Sequence, residues 1–313
     1  MNLEGIHHIT AITGDARRNV EFYAGTLGLR LVKKTVNQDD PTVYHLFYAD
    51  EEGSPGADLT FFEYPGARRG RAGEGMIHTI VWRVGSAEAI DFWERRLADE
   101  GVATQRDGDG DGLRFADPEG LAHELVVYDG PDRPLVSDAP DVPAEHALQG
   151  FHAVRAYAAR PDDSAPLLRE VLGMEDHGDG HWRVAGNDRT GDLFYDAPPA
   201  QRGVPGGGTV HHVAFATRMA DQEAWQQRVQ EAGYRPTPVI DRFWFRSVYF
   251  REPSGVLFEL ATIGPGFGVD EDLERLGERL VLPPSFEQLR DRVEQILTPL
   301  PDPRAERAAR VGG

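Results

Sequence analysis

The chain has 313 residues, no cysteine, 40% hydrophobic residues, and 52 acidic against 33 basic side chains, for a formal charge of −19. That composition suits a globular protein of one large or two ordinary domains. It excludes disulfide frameworks and thiolate-bound metals, and it disfavours the phosphate backbone of nucleic acid as a partner. No window approaches the roughly 18 apolar residues of a membrane helix, and MNLEGIHHIT lacks a basic segment followed by an apolar one. A soluble cytoplasmic protein with no membrane partner is the expectation.

Four similar units follow one another. The first opens with the β-type run GIHHITAI at residues 5–12, continues with helical spacing of Val20, Phe22, Tyr23 and Leu27, and closes in PGADLTFFEY. The second opens with GMIHTIVW at 75–82, spaces Ala89, Ile90, Phe92, Trp93 and Leu97 helically, and closes in PEGLAHELVVY. GFHAVRAY at 150–157 starts the third, with Ala165, Leu167, Leu168, Val171 and Leu172 before RTGDLFYDAP. The fourth starts at TVHHVAFA, 209–216, and carries Trp225, Val229 and Ala232 before PSGVLFELAT. Helical runs in units one, two and four stop at the glycines of GTLGL, ADEGV and QEAGY, which suits a left-handed C-terminal cap.

Each unit thus reads as strand, helix and about three strands, and the fold class is α+β, built from four βαβββ modules. One pair of modules spans residues 1–130, a Pro- and Asp-rich linker spans 131–149, and the second pair spans 150–265. In the extension 266–313, DEDLERLGERLVLPPSFEQLRDRVEQIL places leucines at helical spacing among alternating charges. It predicts a helix packed across a barrel or a partner subunit. PDPRAERAARVGG reads as a mobile tail.

The repeat serves as its own alignment. One column of the opening strands holds His8, Thr79, Ala153 and His212; one column of the closing strands, four residues after the glycine, holds Thr60, Glu124, Tyr195 and Glu259. A 2-His-1-carboxylate site needs three converging ligands and leaves the opposite face open. His8, His212 and Glu259 supply that set, whereas units two and three offer Glu124 without a histidine and read as a scaffold half. Unit one must then lie beside unit four. Imidazole and carboxylate without thiolate favour Fe(II), with Mn, Co, Ni and Zn compatible with the same donors.

A tandem βαβββ module opened by His-His and closed by Gly-Val-Leu-Phe-Glu resembles the vicinal oxygen chelate superfamily, which includes glyoxalases and extradiol ring-cleaving dioxygenases. The resemblance covers most of the chain. GIHHITAITGDARRNVEFY, VYHLFYADEEGSPGADLTFF and DRFWFRSVYFREPSGVLFELAT resemble the hydroquinone-type ring-cleaving dioxygenases in particular. This implies two-domain half-barrels, the same three ligands, and an Fe(II) enzyme of aromatic catabolism that puts both atoms of O2 into a small dihydroxylated ring. His7 and His211 share their column with His78 and His152, which argues for a structural place in the barrel wall, while the resemblance implies acid–base or hydrogen-bonding roles near the pocket. It also implies an active-site role for Tyr249 and a pocket role for Arg242, with Arg246 as the alternative. Strict alternation along DRFWFRSVYF would set Tyr249 and Arg242 on opposite faces, and Phe243, Trp244 and Phe245 would help line an apolar pocket.

Other motifs read as structural. Asp107, Asp109, Asp111 and Gly112 match half a calcium loop, but Pro118 stands where the bidentate glutamate belongs, so a polar hairpin turn is expected. Gly206, Gly207 and Gly208 read as a flexible lead-in to a strand, His45 and His123 as packed histidines, and His177 with His181 as a pair without a third ligand. The alternative function is a metal-dependent glyoxalase, lyase or epimerase of the same scaffold, against which Thr60 stands where such sites carry a second glutamate. A third reading is a non-catalytic binder of aromatics. The ring substituents of the substrate are not legible, and a homo-oligomer is compatible with the sequence without being specified by it.

Overall fold

The computed structural model describes residues 1–108 and 110–311, so Asp109 of the acidic turn lies outside the described residues. Unit one supplies β1 (Ile6–Thr13), α1 (Ala16–Val20), β2 (Arg30–Asn37), β3 (Asp40–Ala49) and β4 (Asp58–Glu63). Unit two supplies β5 (Ile77–Val84), α2 (Ala87–Asp99), β6 (Thr104–Arg106), β7 (Gly112–Ala116) and β8 (Ala122–Val127). Unit three supplies β9 (Phe151–Tyr157), β10 (Glu175–Gly178), β11 (His181–Ala185) and β12 (Thr190–Asp196). Unit four supplies β13 (Thr209–Arg218), α3 (Gln222–Glu231), β14 (Ile240–Asp241), β15 (Arg246–Arg251) and β16 (Leu257–Ile263). In unit three the expected helix is instead a 3-10 turn at Pro161–Ser164 followed by a wide turn at Leu167–Val171.

Two eight-stranded sheets result, in the orders β14-β15-β16-β13-β1-β4-β3-β2 and β10-β11-β12-β9-β5-β8-β7-β6. Units one and four share the first sheet and units two and three the second, so each sequence half contributes one unit to each sheet. The joint between units is antiparallel in both sheets, β1 on β13 and β5 on β9. The helices bury one stripe against the sheets. In α2 the stripe is Ala89, Ile90, Trp93 and Leu97, and the Ser86 side chain accepts the Ala89 amide as N-cap. Gly28, Gly101 and Gly233 follow the three helical runs at φ 68°, 74° and 90°, the left-handed caps that the sequence predicts.

The joints contain four bulges that explain one sequence column. Register shifts fall between Ile6 and His8 and between Ile77 and Thr79, so His7 and His78 are the extra residues there. On the partner strands the shifts pass over His211 and His152. All four column histidines are therefore bulge residues, and a bulge re-aims the side chain it carries.

Gly206–Gly208 do not form a flexible lead-in. They run against the Arg68–Arg71 connection, with Gly70 N–H donating to the Gly207 carbonyl at 2.8 Å. A Cβ on Gly206 would stand 2.4 Å from the Arg68 carbonyl oxygen, so glycine is what permits these two crossing segments to touch. Beyond Ile263 the extension is mostly 3-10 turns, with α4 confined to Arg290–Ile296 because Gly277, Pro283 and Pro284 interrupt the leucine spacing. The expected mobile tail is instead α5 (Pro303–Val311). The Asp302 carboxylate accepts the Ala305 amide at 3.0 Å, Arg307 pairs with Asp141 at 2.7 Å and Glu100 at 2.8 Å, and Pro303 packs on Gly25. No described helix is long and apolar enough to cross a membrane.

Candidate metal centre

Three neighbouring strands build the site. On β13, Ala214 stands opposite His8 of β1 on one side and opposite Glu259 of β16 on the other, and His212 lies two residues earlier on the same face. Ala214 is buried and small, which leaves the space above it to the three side chains. His8 Nε2 lies 3.2 Å from His212 Nε2, and the Glu259 Oε2 atom lies 3.1 Å from the first and 2.8 Å from the second. Metal–ligand bonds of about 2.1 Å at right angles would set donor atoms about 3.0 Å apart, which matches one face of an octahedron. Among the described residues this is the one His, Asp and Glu cluster of that kind.

The hydrogen-bond order behind His8 fixes which nitrogen faces the centre. His7 Nε2 lies 3.2 Å from the Thr262 carbonyl oxygen, which can only accept, so Nε2 carries the proton. Burial pushes His7 down to about 3, so the ring is neutral and its Nδ1 is a bare acceptor. His8 Nδ1, 3.0 Å away, must then donate, which leaves His8 Nε2 as a lone pair aimed at the other two ligand atoms. His211 repeats the contact on His212, Nδ1 to Nδ1 at 2.8 Å, but its ring is exposed and its second nitrogen has no protein partner among the described residues.

Glu259 is fully buried, and neither carboxylate oxygen has a hydrogen-bond donor, although both imidazoles stand within hydrogen-bonding distance. Burial raises its carboxyl group, but His8 and His212 beside it hold it well below the usual carboxylate range. A buried carboxylate facing two imidazole nitrogens, without donors directed at it, is costly unless a cation sits between them. The residues thus fit a divalent metal, and His8 and His212 open on a cavity with aromatic walls.

Phe47, Phe62, Trp244 and Phe245 form the apolar part of the cavity wall, and Thr10, His45, Arg242 and Tyr249 the polar part. Arg242 and Tyr249 are not on opposite faces. Residues 242–245 form a turn, closed by the Arg242 amide donating to the Phe245 carbonyl at 2.9 Å, with Phe243 at φ 73°. The turn breaks the alternation and swings Arg242 round until its Cζ lies 5.6 Å from the Tyr249 ring centre. Tyr249 in turn meets His212 edge-on at 5.6 Å, and burial raises its phenol. Phe243 meets Trp244 edge-on at 5.6 Å outside the cavity wall, and Arg246 points away to Glu223 at 3.4 Å.

His7 and His211 lie outside this wall. His7 sits behind His8, and His211 opens on a separate recess with Met76, Arg251 and Leu257. The residue that sequence reasoning set aside is His45. It lines the cavity, with Phe47 and Phe62 at ring distances of 4.0 and 4.4 Å, and burial drives it well below its ordinary value. Its Nε2 meets Thr60 Oγ1 at 3.0 Å, and Thr60 meets Thr10 Oγ1 at 2.8 Å. His45 shares a face of β3 with Phe47, but alternation alone does not tell which face is the cavity.

The remaining histidines are structural. His123 accepts the Trp82 indole proton at Nδ1 (3.1 Å) and donates from Nε2 to Tyr23 (3.0 Å), which donates to Asp117 (3.0 Å), a closed buried network. His177 stacks on His181 at 4.8 Å and His181 on Phe194 at 4.4 Å. In unit three the closing-strand column shifts by one residue. Ala153 pairs with Asp192, which puts Phe194 rather than Tyr195 level with Glu259, because Gly191 already lies inside its strand.

The model of the glyoxalase/bleomycin resistance protein/dioxygenase superfamily matches residues 5–125 and 150–260. The chain belongs to this superfamily. Within it, the chain is 42% identical over 303 residues to "Putative ring-cleaving dioxygenase MhqO" of Bacillus subtilis (strain 168), covering 94% of this chain and 96% of that one. It is 33% identical over 319 residues to the chlorohydroquinone/hydroquinone 1,2-dioxygenase of Sphingobium indicum, covering 96% and 97%. The crystal structure of a "putative dioxygenase" from Bacillus subtilis superposes with a TM-score of 0.88 at 40% identity, over 96% of this chain and 98% of that chain. The superfamily fold thus extends over both sheets.

Proposed function

We propose that the protein is an Fe(II)-dependent ring-cleaving dioxygenase of the extradiol type, acting on a hydroquinone or related dihydroxylated ring with O2. The observation that carries this reading is the buried, donor-less acceptor set of His8, His212 and Glu259, open on one side to a small aromatic-walled cavity. The names of the relatives from Bacillus and Sphingobium support the reaction class. When bound by these three residues, a ferrous ion would supply Lewis acidity toward a ring hydroxyl and electron transfer to dioxygen.

The chain's own residues do the rest. Phe47, Phe62, Trp244 and Phe245 hold a flat ring and exclude water from its faces. His45 offers the cavity a neutral ring whose Nε2 is tied to the Thr60–Thr10 hydroxyl pair, so it can hydrogen-bond and orient a substrate hydroxyl. Tyr249 lines the cavity with its ring edge-on to His212, and Arg242 covers the Tyr249 ring. Anaerobic purification, metal analysis and an oxygen-electrode screen test the reading. Oxygen uptake with methylhydroquinone on Fe(II) reconstitution is expected. Absence of uptake, with full activity on a hemithioacetal under Ni or Zn, would replace this reading with a glyoxalase.

A further inference from the structure

Arg242 is the one lysine or arginine among the residues lining the cavity, and it is not free. Its two terminal nitrogens donate to the two oxygens of Asp39 at 3.1 and 2.9 Å, a fork-on-fork pair across 203 residues of sequence. The pair forms because the tip of the β2–β3 hairpin leans over the turn at 242–245. The Asn37 side chain accepts the Asp39 amide at 2.9 Å and sets the tip, and Gln38 Nε2 donates to the Arg242 carbonyl at 2.8 Å. The guanidinium is mostly covered, at 15% exposure, while the carboxylate that occupies it stands 71% exposed at the mouth.

We propose that Asp39 sets the charge selectivity of the cavity, admitting neutral dihydroxylated rings and turning away those that carry a carboxylate. The substrate class is narrowed within the ring-cleavage reading, on which this inference rests. A ring carboxylate entering the cavity would look for a forked donor, and guanidinium is the side chain whose geometry matches it. Here that donor is already filled, and the group filling it adds a negative charge at the entrance of a chain that is already acidic. Discrimination of this kind comes from a repelling element as much as from an attracting one. A neutral ring pays no such penalty: the metal-facing side takes its hydroxyl and the aromatic wall takes its face.

The test is a ratio of dissociation constants, measured anaerobically on the metal-loaded protein by quenching of tryptophan fluorescence. The probes are methylhydroquinone and 2,5-dihydroxybenzoate. The wild type is expected to bind the neutral ring at least 100-fold more tightly. Asp39→Asn keeps the size of the side chain and is exposed, so folding is not at stake. It should narrow the ratio at least tenfold, by tightening the carboxylate in a salt-sensitive way. Adding Arg242→Gln to Asp39→Asn should restore the gap, and Glu52→Gln, a charge removed elsewhere, should leave the wild-type ratio. A wild type that binds both probes within threefold, or an Asp39→Asn ratio equal to that of the wild type, overturns the proposal. Oxygen uptake is scored separately. No turnover of methylhydroquinone would refute ring cleavage, while the binding ratio would still decide the role of Asp39.

Discussion

Replacing His7 by Phe tests the proton order behind the ligands. The ring volume is nearly kept, and the site already tolerates an aromatic neighbour, since His7 packs 5.4 Å from Phe245. What is lost is the acceptor for His8 Nδ1–H at 3.0 Å and the donor to the Thr262 carbonyl at 3.2 Å. Each neutral hydrogen bond contributes about 1 kcal/mol, and a buried group left unpaired costs about 1 to 3 kcal/mol. His8 can escape its orphaned proton by moving it to Nε2, but that removes the lone pair the metal needs. Partners of this kind typically contribute about 10- to 100-fold in metal affinity, or about 1.4 to 2.7 kcal/mol. The assay is competition between apoprotein and a chelator for Fe(II) under nitrogen, with thermal unfolding measured with and without metal. His7→Phe should lose affinity within that range while the metal-free unfolding temperature moves little. His211→Phe should lose less than about threefold, because the exposed His211 ring anchors nothing further. An unchanged affinity in His7→Phe, or an equal loss in both variants, would refute the argument.

His212→Ala should abolish iron retention with the fold intact by circular dichroism, whereas Glu124→Gln, in the other sheet and beside Arg114 at 3.5 Å, should hold wild-type iron and turnover within about twofold. Asp270 grips the cavity wall from outside, bonding Trp244 Nε1 at 3.1 Å and buried Lys33 at 2.9 Å. Asp270→Asn and Trp244→Phe should each raise KM for the aromatic by about 3- to 10-fold with iron content unchanged, and the double variant should not add their effects. Additive effects would mean that the two side chains act separately. Burial holds His123 at about 3 against 6.5 when unfolded, so the unfolded chain binds the extra proton between those values and stability falls as the solution is acidified. Between pH 6.5 and 5 this residue should account for a loss of about 1.6 kcal/mol, read as the difference between wild type and His123→Gln in how the urea-unfolding free energy changes with pH.

Much of the site is legible in the sequence because the repeat marks equivalent strand positions. His8, His212 and Glu259 emerge from two columns, and the structure places their ligand atoms together. The column method fails at Tyr195, where counting from a glycine assumes that every glycine precedes its strand, and Gly191 does not. It also cannot register a bulge, so the neighbours His7 and His8 read as facing opposite sides although their Nδ1 atoms lie 3.0 Å apart. Arg242 departs from strand alternation for a related reason: a turn with an aromatic residue at positive φ leaves no signature in an aromatic-rich run. The hairpin tip at Asn37–Asp39 is a plain turn signal, but its meeting with residue 242 is tertiary and has no local cause. In the polar tail, α5 is held by its Asp302 cap and by the Arg307 pairs with Asp141 and Glu100, and those pairs are tertiary.

The two sheets contain the same modules, and comparing them isolates what the first is built to hold. At the positions of the ligands the second sheet presents Thr79, Ala153, Phe194 and Glu124, so a single carboxylate remains. Its charges answer one another: Arg114 reaches Glu124, Arg155 forks onto Asp196 at 2.7 Å, and Arg183 forks onto Asp192 at 2.8 Å. In the first sheet, strands of equal burial carry Glu259 with no donor at either oxygen, facing an imidazole nitrogen whose lone pair is fixed by its neighbour. Both sheets obey the same rule that buried polar groups are satisfied. One satisfies it with its own arginines, and the other keeps arginine away from the carboxylate and assigns its guanidinium to Asp39 at the mouth. Adding an internal cation among the three side chains therefore makes a direct test: Ala214→Arg, on the strand between His8 and Glu259, should abolish iron binding. A variant that still binds iron at wild-type affinity would show that the three side chains do not share a single cation.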